Sequence, residues 1–179
     1  MTVPLFGQSP EMKKSAIIAF GIFLLAIQAT ACREQVSSSA DAGNTVFATV
    51  IFELADKREV TFDAEVVTTP EDRAKGLMFR KGLKEADAML FVFDSLEDHV
   101  FWMKNTFIPL DMIFITPDML VAGVVHNATP QTLDGRSIGR QSLLVLEISG
   151  GLSKKLGITE GARIRILPKA RQQSSPQVR

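Results

Sequence analysis

Beyond Thr45 the apolar residues of this chain come in short runs, rich in β-branched and aromatic side chains and closed off by turn formers. That pattern restricts the chain to strands of modest length. Residues 46–54 form one such run. Val60, Phe62, Ala64 and Val66 then alternate with Thr61, Asp63 and Glu65, the two-residue period of a strand with one buried face. The charged stretch 55–59 joins the two. Residues 89–93, 100–103, 111–115, 120–127, 143–149 and 163–167 are further β-prone stretches. Two breaks have helical character. Thr69-Pro70-Glu71-Asp72 supplies a hydroxyl cap, a proline at the first helical position and acids at the positive end of the dipole, which predicts a short helix to about Leu77. Gly150-Gly151 precedes a second, over 152–156. The expected fold class is mostly β (α+β): a compact barrel-like or sandwich domain with two short helices, spanning residues 45–168.

The segment before Thr45 follows a different logic. Lys13 and Lys14 precede an uncharged apolar run over 15–27, then Ala29, Thr30 and Ala31, the basic, apolar and small-residue layout of an export signal. The run falls short of the ~20 residues that span a bilayer, and no charged flank stops transfer, so a permanent membrane helix is the weaker reading. Cleavage after Ala31 leaves Cys32, the single cysteine, at the new terminus. Its position and rarity point to lipidation rather than an incidental thiol, and the segment resembles a bacterial lipobox with Ala29 where Leu is usual. Each methylene of an attached acyl chain adds about 0.8 kcal/mol of membrane affinity. Residues 1–31 are therefore expected to be a signal peptide, started at Met1 or Met12, with 32–44 a flexible tether and 169–179 a disordered polar tail. The expected location is exported, on the periplasmic or extracytoplasmic face of a membrane. The outer membrane is favoured, since Arg33 gives no inner-membrane retention signal. With Cys32 spent on the anchor, the body has no cysteine for disulfides, thiol chemistry or a zinc site. Twenty Lys and Arg against 20 Asp and Glu speak against a nucleic-acid partner, although Arg163, Arg165, Lys169 and Arg171 are locally basic.

The most distinctive stretch is FWMKNTFIPLDMIFI at 101–115. Together with RAKGLMFR at 73–80, MLFVF at 89–93, Leu146-Glu147 with Gly150, and Gly157 before Gly161, it resembles the bacterial and archaeal family catalogued as domain of unknown function 192, over residues 46–167. The sequence departs from that family at Ala88, where Gly is usual, and at Ile138, where an aromatic is common. The resemblance implies a compact, β-rich, barrel-like fold, often exported or lipid-anchored. It implies no reaction, so function must come from the residues themselves.

Lys104, Asn105, Thr106 and Asp111 are polar residues in an apolar neighbourhood bracketed by Trp102, Phe107 and Phe114, and buried polar groups need partners. In one reading Asn105 and Thr106 shape a turn before Ile108-Pro109, while Asp111 satisfies backbone donors or pairs with Arg73 or Arg80. In the other, Arg73, Arg80, Trp102, Lys104, Asn105, Asp111 and Glu147 converge on a cleft floored by Trp102 that takes a small polar ligand, a sugar or a peptide. Glu147 stands inside an apolar strand, where a carboxylate is costly unless paired; a bridge to Arg73 or Arg80 explains it as well as chemistry does. Asp111 and Glu147 as a catalytic pair would suit glycan hydrolysis if separated by about 5 to 9.5 Å. No nucleophile elbow, phosphate loop or His-rich motif points to another reaction, and no catalytic residue is assigned. Met78, Met89, Met103 and Met112, with His99 and His126, offer soft copper ligands, but each Met lies in an apolar run and reads as core filler; no metal or cofactor is expected. His99 reads as an exposed turn residue and His126 as a half-buried, hydrogen-bonded one. The leading expectation is a lipid-anchored or secreted envelope protein acting as a non-catalytic ligand-binding or accessory module. The alternative is a hydrolase acting on an envelope glycan through the carboxylate pair. A purely structural protein would show no coherent pocket.

Overall fold

The alternation read from the sequence becomes two buried faces of one sheet. The computed structural model describes residues 45–169; the expected signal peptide, Cys32, the tether and the tail beyond Lys169 lie outside the described residues. Elements follow the order β1 (Val46–Glu53), β2 (Glu59–Val67), α1 (Pro70–Lys75), β3 (Asp87–Glu97), β4 (Leu110–Ile115), β5 (Val121–Ala128), β6 (Ser142–Ser149), α2 (Leu152–Leu156) and β7 (Arg163–Lys169). The strands form a seven-stranded sheet in the order β5-β4-β6-β3-β2-β1-β7. Every neighbouring pair is antiparallel except β2 and β3, which run parallel because α1 carries the chain across between them. The sheet is not closed. Its outer strands β5 and β7 meet only at one corner, through the Leu120↔Arg163 bridge and bonds such as Ile164 N–H to the Met119 carbonyl at 2.9 Å, so the sheet curls in a sandwich-like way.

One cluster fills the inside of the curl: Val50 and Phe52 of β1, Phe62 and Ala64 of β2, Leu90 of β3, Ile113 and Ile115 of β4, Leu146 and Ile148 of β6. A second covers the other face of β3, β4 and β6, with Met89, Phe91, Met112, Phe114 and Val145 packed beneath Leu77 and Met103. Strands β4 and β6 are therefore buried on both sides, which is why they read as nearly unbroken apolar runs rather than as alternation. Met89, Met103 and Met112 are fully enclosed in that second cluster, the filler role expected of them. Ala88 sits opposite Ala64 in the parallel ladder, and both are buried.

Helix α1 starts as its cap predicts. Thr69 Oγ1 accepts from Asp72 N–H at 3.1 Å, and Pro70 takes the first turn. The helix ends at Lys75, earlier than Leu77, because Gly76 turns to φ 45° and ψ −131° while its N–H bonds the Asp72 carbonyl. A Cβ at Gly76 would lie 3.2 Å from the Phe91 ring, so the glycine also seats the helix against β3.

One expectation fails. Residues 100–103 are not a strand and make only the isolated Phe101↔Arg136 bridge. Strand β3, the nearest in the chain, already has β2 and β6 on its two edges, so it has no free edge to receive this segment. It lies over the sheet face instead, burying Met103 and exposing Val100 and Trp102. At the far end β7 runs through Lys169, one residue into the expected tail. Among the described residues no helix is long and apolar enough to cross a membrane.

Candidate functional site

Asp111 is fully buried. It faces the inner cluster, since β4 and β6 pair with Asp111 opposite Ile148 and Ile113 opposite Leu146. Its Oδ1 accepts from Asn127 N–H at 2.6 Å and Gly151 N–H at 2.8 Å. Its Oδ2 accepts from Ser153 N–H at 2.7 Å and from the Ser153 hydroxyl at 2.6 Å. Burial pushes this carboxyl up, but the Ser153 hydroxyl and the three backbone N–H groups outweigh burial and hold it below the usual carboxylate range. Asp111 thus pins the start of α2 and the end of β5 to β4, by backbone donors and not by Arg73 or Arg80.

Glu147 lies on the opposite face. In β6 it pairs with Met89 of β3 and Met112 of β4, both of the outer cluster. The two carboxylates are therefore separated by the sheet itself, and the pair that glycan hydrolysis needs is not assembled. Nor is Glu147 bridged to arginine: Arg80 pairs with Glu65, and Arg73 donates to the Thr68 carbonyl and, at 2.8 Å, to the Val92 carbonyl. Only 4 % of Glu147 is exposed. Its carboxyl makes no hydrogen bond or ion pair among the described residues, and burial alone pushes it up to about 8. It is therefore mostly protonated at neutral pH.

That carboxyl opens onto a cavity of about 300 Å³. Arg73, Lys75 and Gly76 supply one wall from α1 and its cap; Phe91 and Phe93 of β3 lie beneath; His99, Phe101, Trp102 and Thr106 come from the loop before β4. The aromatic side is interlocked. Phe101 stands edge-on to Phe91, Phe93 and Phe114 with centroids 5.1, 6.2 and 6.0 Å apart, and His99 stacks on Phe93 at 3.6 Å. The Arg73 guanidinium lies 5.1 Å from the Phe93 centroid. His99 Nε2 is buried without a partner among the described residues. The reading of His99 as an exposed turn residue is thus corrected: stacking on Phe93 draws it into the cavity wall.

Of the seven residues expected to converge on a ligand cleft, Arg73, Trp102 and Glu147 share this cavity, and Thr106 joins them. Trp102 forms its rim and not its floor, being 51 % exposed. Lys104 reaches over the Trp102 ring at 5.3 Å. Asn105 takes φ 55° and receives Phe79 N–H on its carbonyl at 2.8 Å, the turn-forming role. Arg80 borders a separate depression with Glu65 and Met78, and Asp111 is on the far face. His99, Phe91, Phe93 and Phe101 were missed because nothing local in the sequence tells which face of β3 the 99–106 loop covers.

His126 is exposed, with Nδ1 2.9 Å from Ser153 Oγ. Asp111, Ser153 and His126 have the composition of a hydrolytic triad but the wrong order. Ser153 is fully buried and gives its single proton to Asp111, so Nδ1 of His126 is the donor and no nucleophile is generated. Among the described residues no group of three or more His, Cys, Asp or Glu is placed to hold a metal ion.

The model of the family described as Uncharacterized ACR, domain of unknown function 192, matches residues 51–166. Among solved structures, a proposed transcription regulator from Sinorhizobium meliloti 1021 is 31% identical; the alignment covers 69% of this chain and 96% of that one, with a TM-score of 0.67. A protein of unknown function from Novosphingobium aromaticivorans DSM 12444 is 32% identical, with coverage of 72% and 96% and a TM-score of 0.64. No curated protein matches.

Proposed function

Because the chain belongs to the family of domain of unknown function 192, which brings no reaction with it, we propose a function from the site alone: a non-catalytic module that takes a small polar ligand in the cavity beside Trp102. One observation carries this reading. A carboxyl that is almost wholly buried and has no partner among the described residues faces an open, aromatic-lined space, an arrangement that is costly unless something else supplies the missing hydrogen bonds. The separation of Asp111 from Glu147 by the sheet, and the enclosure of Ser153, support binding over hydrolysis. This chain's basic and acidic residues balance at 20 each, which gives no support to a nucleic-acid-binding role.

Trp102 is the chain's single tryptophan and stands at the rim, so its fluorescence reports occupancy directly. Titration with a panel of sugars, dipeptides and amino acids is expected to shift that emission saturably for at least one of them. Ala74→Trp would confuse the signal, so Ala74→Leu is the blocking variant; Ala74 lines the cavity and is exposed. A panel that never moves Trp102 emission, or a response untouched by Ala74→Leu, would sink the reading.

We further propose that the module works at the extracytoplasmic face of a membrane, held there by acyl chains on Cys32. The signal-like residues 13–31 and the position of the lone cysteine support it. Cys32→Ala is expected to shift the cleaved protein from the membrane pellet to the soluble fraction without altering its melting curve. Continued sedimentation of the cleaved variant with membranes would exclude the lipid anchor.

A further inference from the structure

We infer that the ligand of the Trp102 cavity is a small zwitterion of the free α-amino acid type, with its ammonium group seated on Glu147 and its carboxylate on the side of Arg73 and Lys75. The inference rests on the reading of this cavity as a binding site and names the chemistry that fits it. A partnerless carboxyl at depth calls for N–H donors, and an ammonium group offers three together with the charge that makes the ionised carboxylate acceptable there. Aromatic side chains line the same space at Phe91 and Phe101, and aromatic rings attract cations over their faces; the Phe93 ring is already covered by His99 and Arg73. The protein itself already places cations on two neighbouring rings, Arg73 on Phe93 and Lys104 on Trp102.

A simple amine would meet the positive charge of Arg73 and Lys75 on the α1 wall. A carboxylate elsewhere on the same ligand removes that objection and gives those cations an anion. Arg73 is held in place by the Thr68 and Val92 carbonyls, and its near neighbour Asp94, 3.8 Å away, is a solvent-exposed partner that compensates little of its charge. A cavity of about 300 Å³ accommodates a free amino acid and leaves little room for an oligosaccharide.

Seating an ammonium group ionises Glu147, so binding at neutral pH releases a proton. The charged or titratable groups that share the cavity are Arg73 and Lys75 from α1 and His99 from the loop, while the flanking strands present Met89 and Met112. The experiment is a calorimetric titration of the full-length chain near pH 7, in buffers of different ionisation enthalpy, with glycine, L-leucine and L-phenylalanine. Each has two matched probes that lack one of its charges: methylamine and acetate for glycine, 3-methylbutylamine and 4-methylpentanoate for leucine, 2-phenylethylamine and 3-phenylpropanoate for phenylalanine. At least one amino acid is expected to bind with release of close to one proton, and more than tenfold tighter than its matched amine or acid. Glu147→Gln is expected to weaken that binding at least tenfold and abolish the proton release. Equal binding of the acid, proton-neutral binding, or indifference to Glu147→Gln overturns the zwitterion. If all three amino acids are silent while a sugar shifts Trp102 emission, the zwitterion falls and the binding site stands; if no probe acts on Trp102, both fall.

Discussion

Wild-type chain titrated with urea between about pH 5 and pH 9 is expected to lose stability steadily as the pH rises, and Glu147→Gln to lose far less. In the folded chain burial pushes the Glu147 carboxyl up to about 8, from an ordinary value of 4.5. Between those two values the folded state keeps a proton that the unfolded state has released. The unfolded state thus binds fewer protons, and stability falls with pH across that window. With about 1.36 kcal/mol for each unit, the full loss is on the order of 4 to 5 kcal/mol, a large part of the 5–15 kcal/mol that typically holds a domain together. Glutamine keeps the shape and the hydrogen-bonding capacity but cannot ionise. Arg73, Lys75 and His99 share the cavity and are present in both proteins, so the difference between the two curves isolates Glu147. Parallel curves for wild type and Glu147→Gln would show that the carboxyl has found a partner or water, and would remove the main support for the cavity as a binding site. An added ligand that supplies the partner should reverse the sign of the effect, stabilising the wild type most where the empty protein is weakest.

Most strands could be read from the sequence because their side chains report the environment locally. Val60, Phe62, Ala64 and Val66 alternate because β2 is buried on one face, and residues 143–148 do not because β6 is buried on both. The start of α1 was equally legible in Thr69-Pro70, whose cap geometry needs nothing beyond its own turn. Residues 100–103 misled because Phe101 and Met103 point inward around exposed Val100 and Trp102, which copies the period of a strand without offering an edge to pair with. The site was legible only in part. Asp111 and Glu147 both look like misplaced carboxylates in apolar strands, but whether they share a face depends on the register of β4 against β6, set by chain segments about 35 residues apart. Once Met112 stands opposite Glu147, Asp111 must point the other way. The stacking of His99 on Phe93 is likewise decided by where a loop lies over a sheet, and no short pattern encodes it.

That same register makes Asp111 a point on which the fold depends. Asp111→Ala is expected to destabilise the chain by about 3 to 5 kcal/mol, because it strands three backbone N–H groups, at Asn127, Gly151 and Ser153, and the Ser153 hydroxyl, each worth about 1–3 kcal/mol when buried unsatisfied and not fully additive. Asp111→Asn keeps one acceptor oxygen but turns an amide NH₂ toward donors at the other position, so it should fall between alanine and wild type. Hydrogen exchange should locate the damage: protection is lost first at the Asn127, Gly151 and Ser153 amides, which join β5 and α2 to β4. The pH dependence runs opposite to that of Glu147. A carboxyl held below the ordinary 3.8 contributes stability that is present above that value and lost as the pH falls through the folded one, so wild type loses stability in acid and Asp111→Ala has less of that contribution to lose. Because Asp111 is across the sheet from the cavity, chain that remains folded after Asp111→Asn should still shift Trp102 emission with the ligand found for the wild type. Full stability combined with lost binding would mean that Asp111 serves the site rather than the fold, and would return the sheet's inner face to consideration as the functional one.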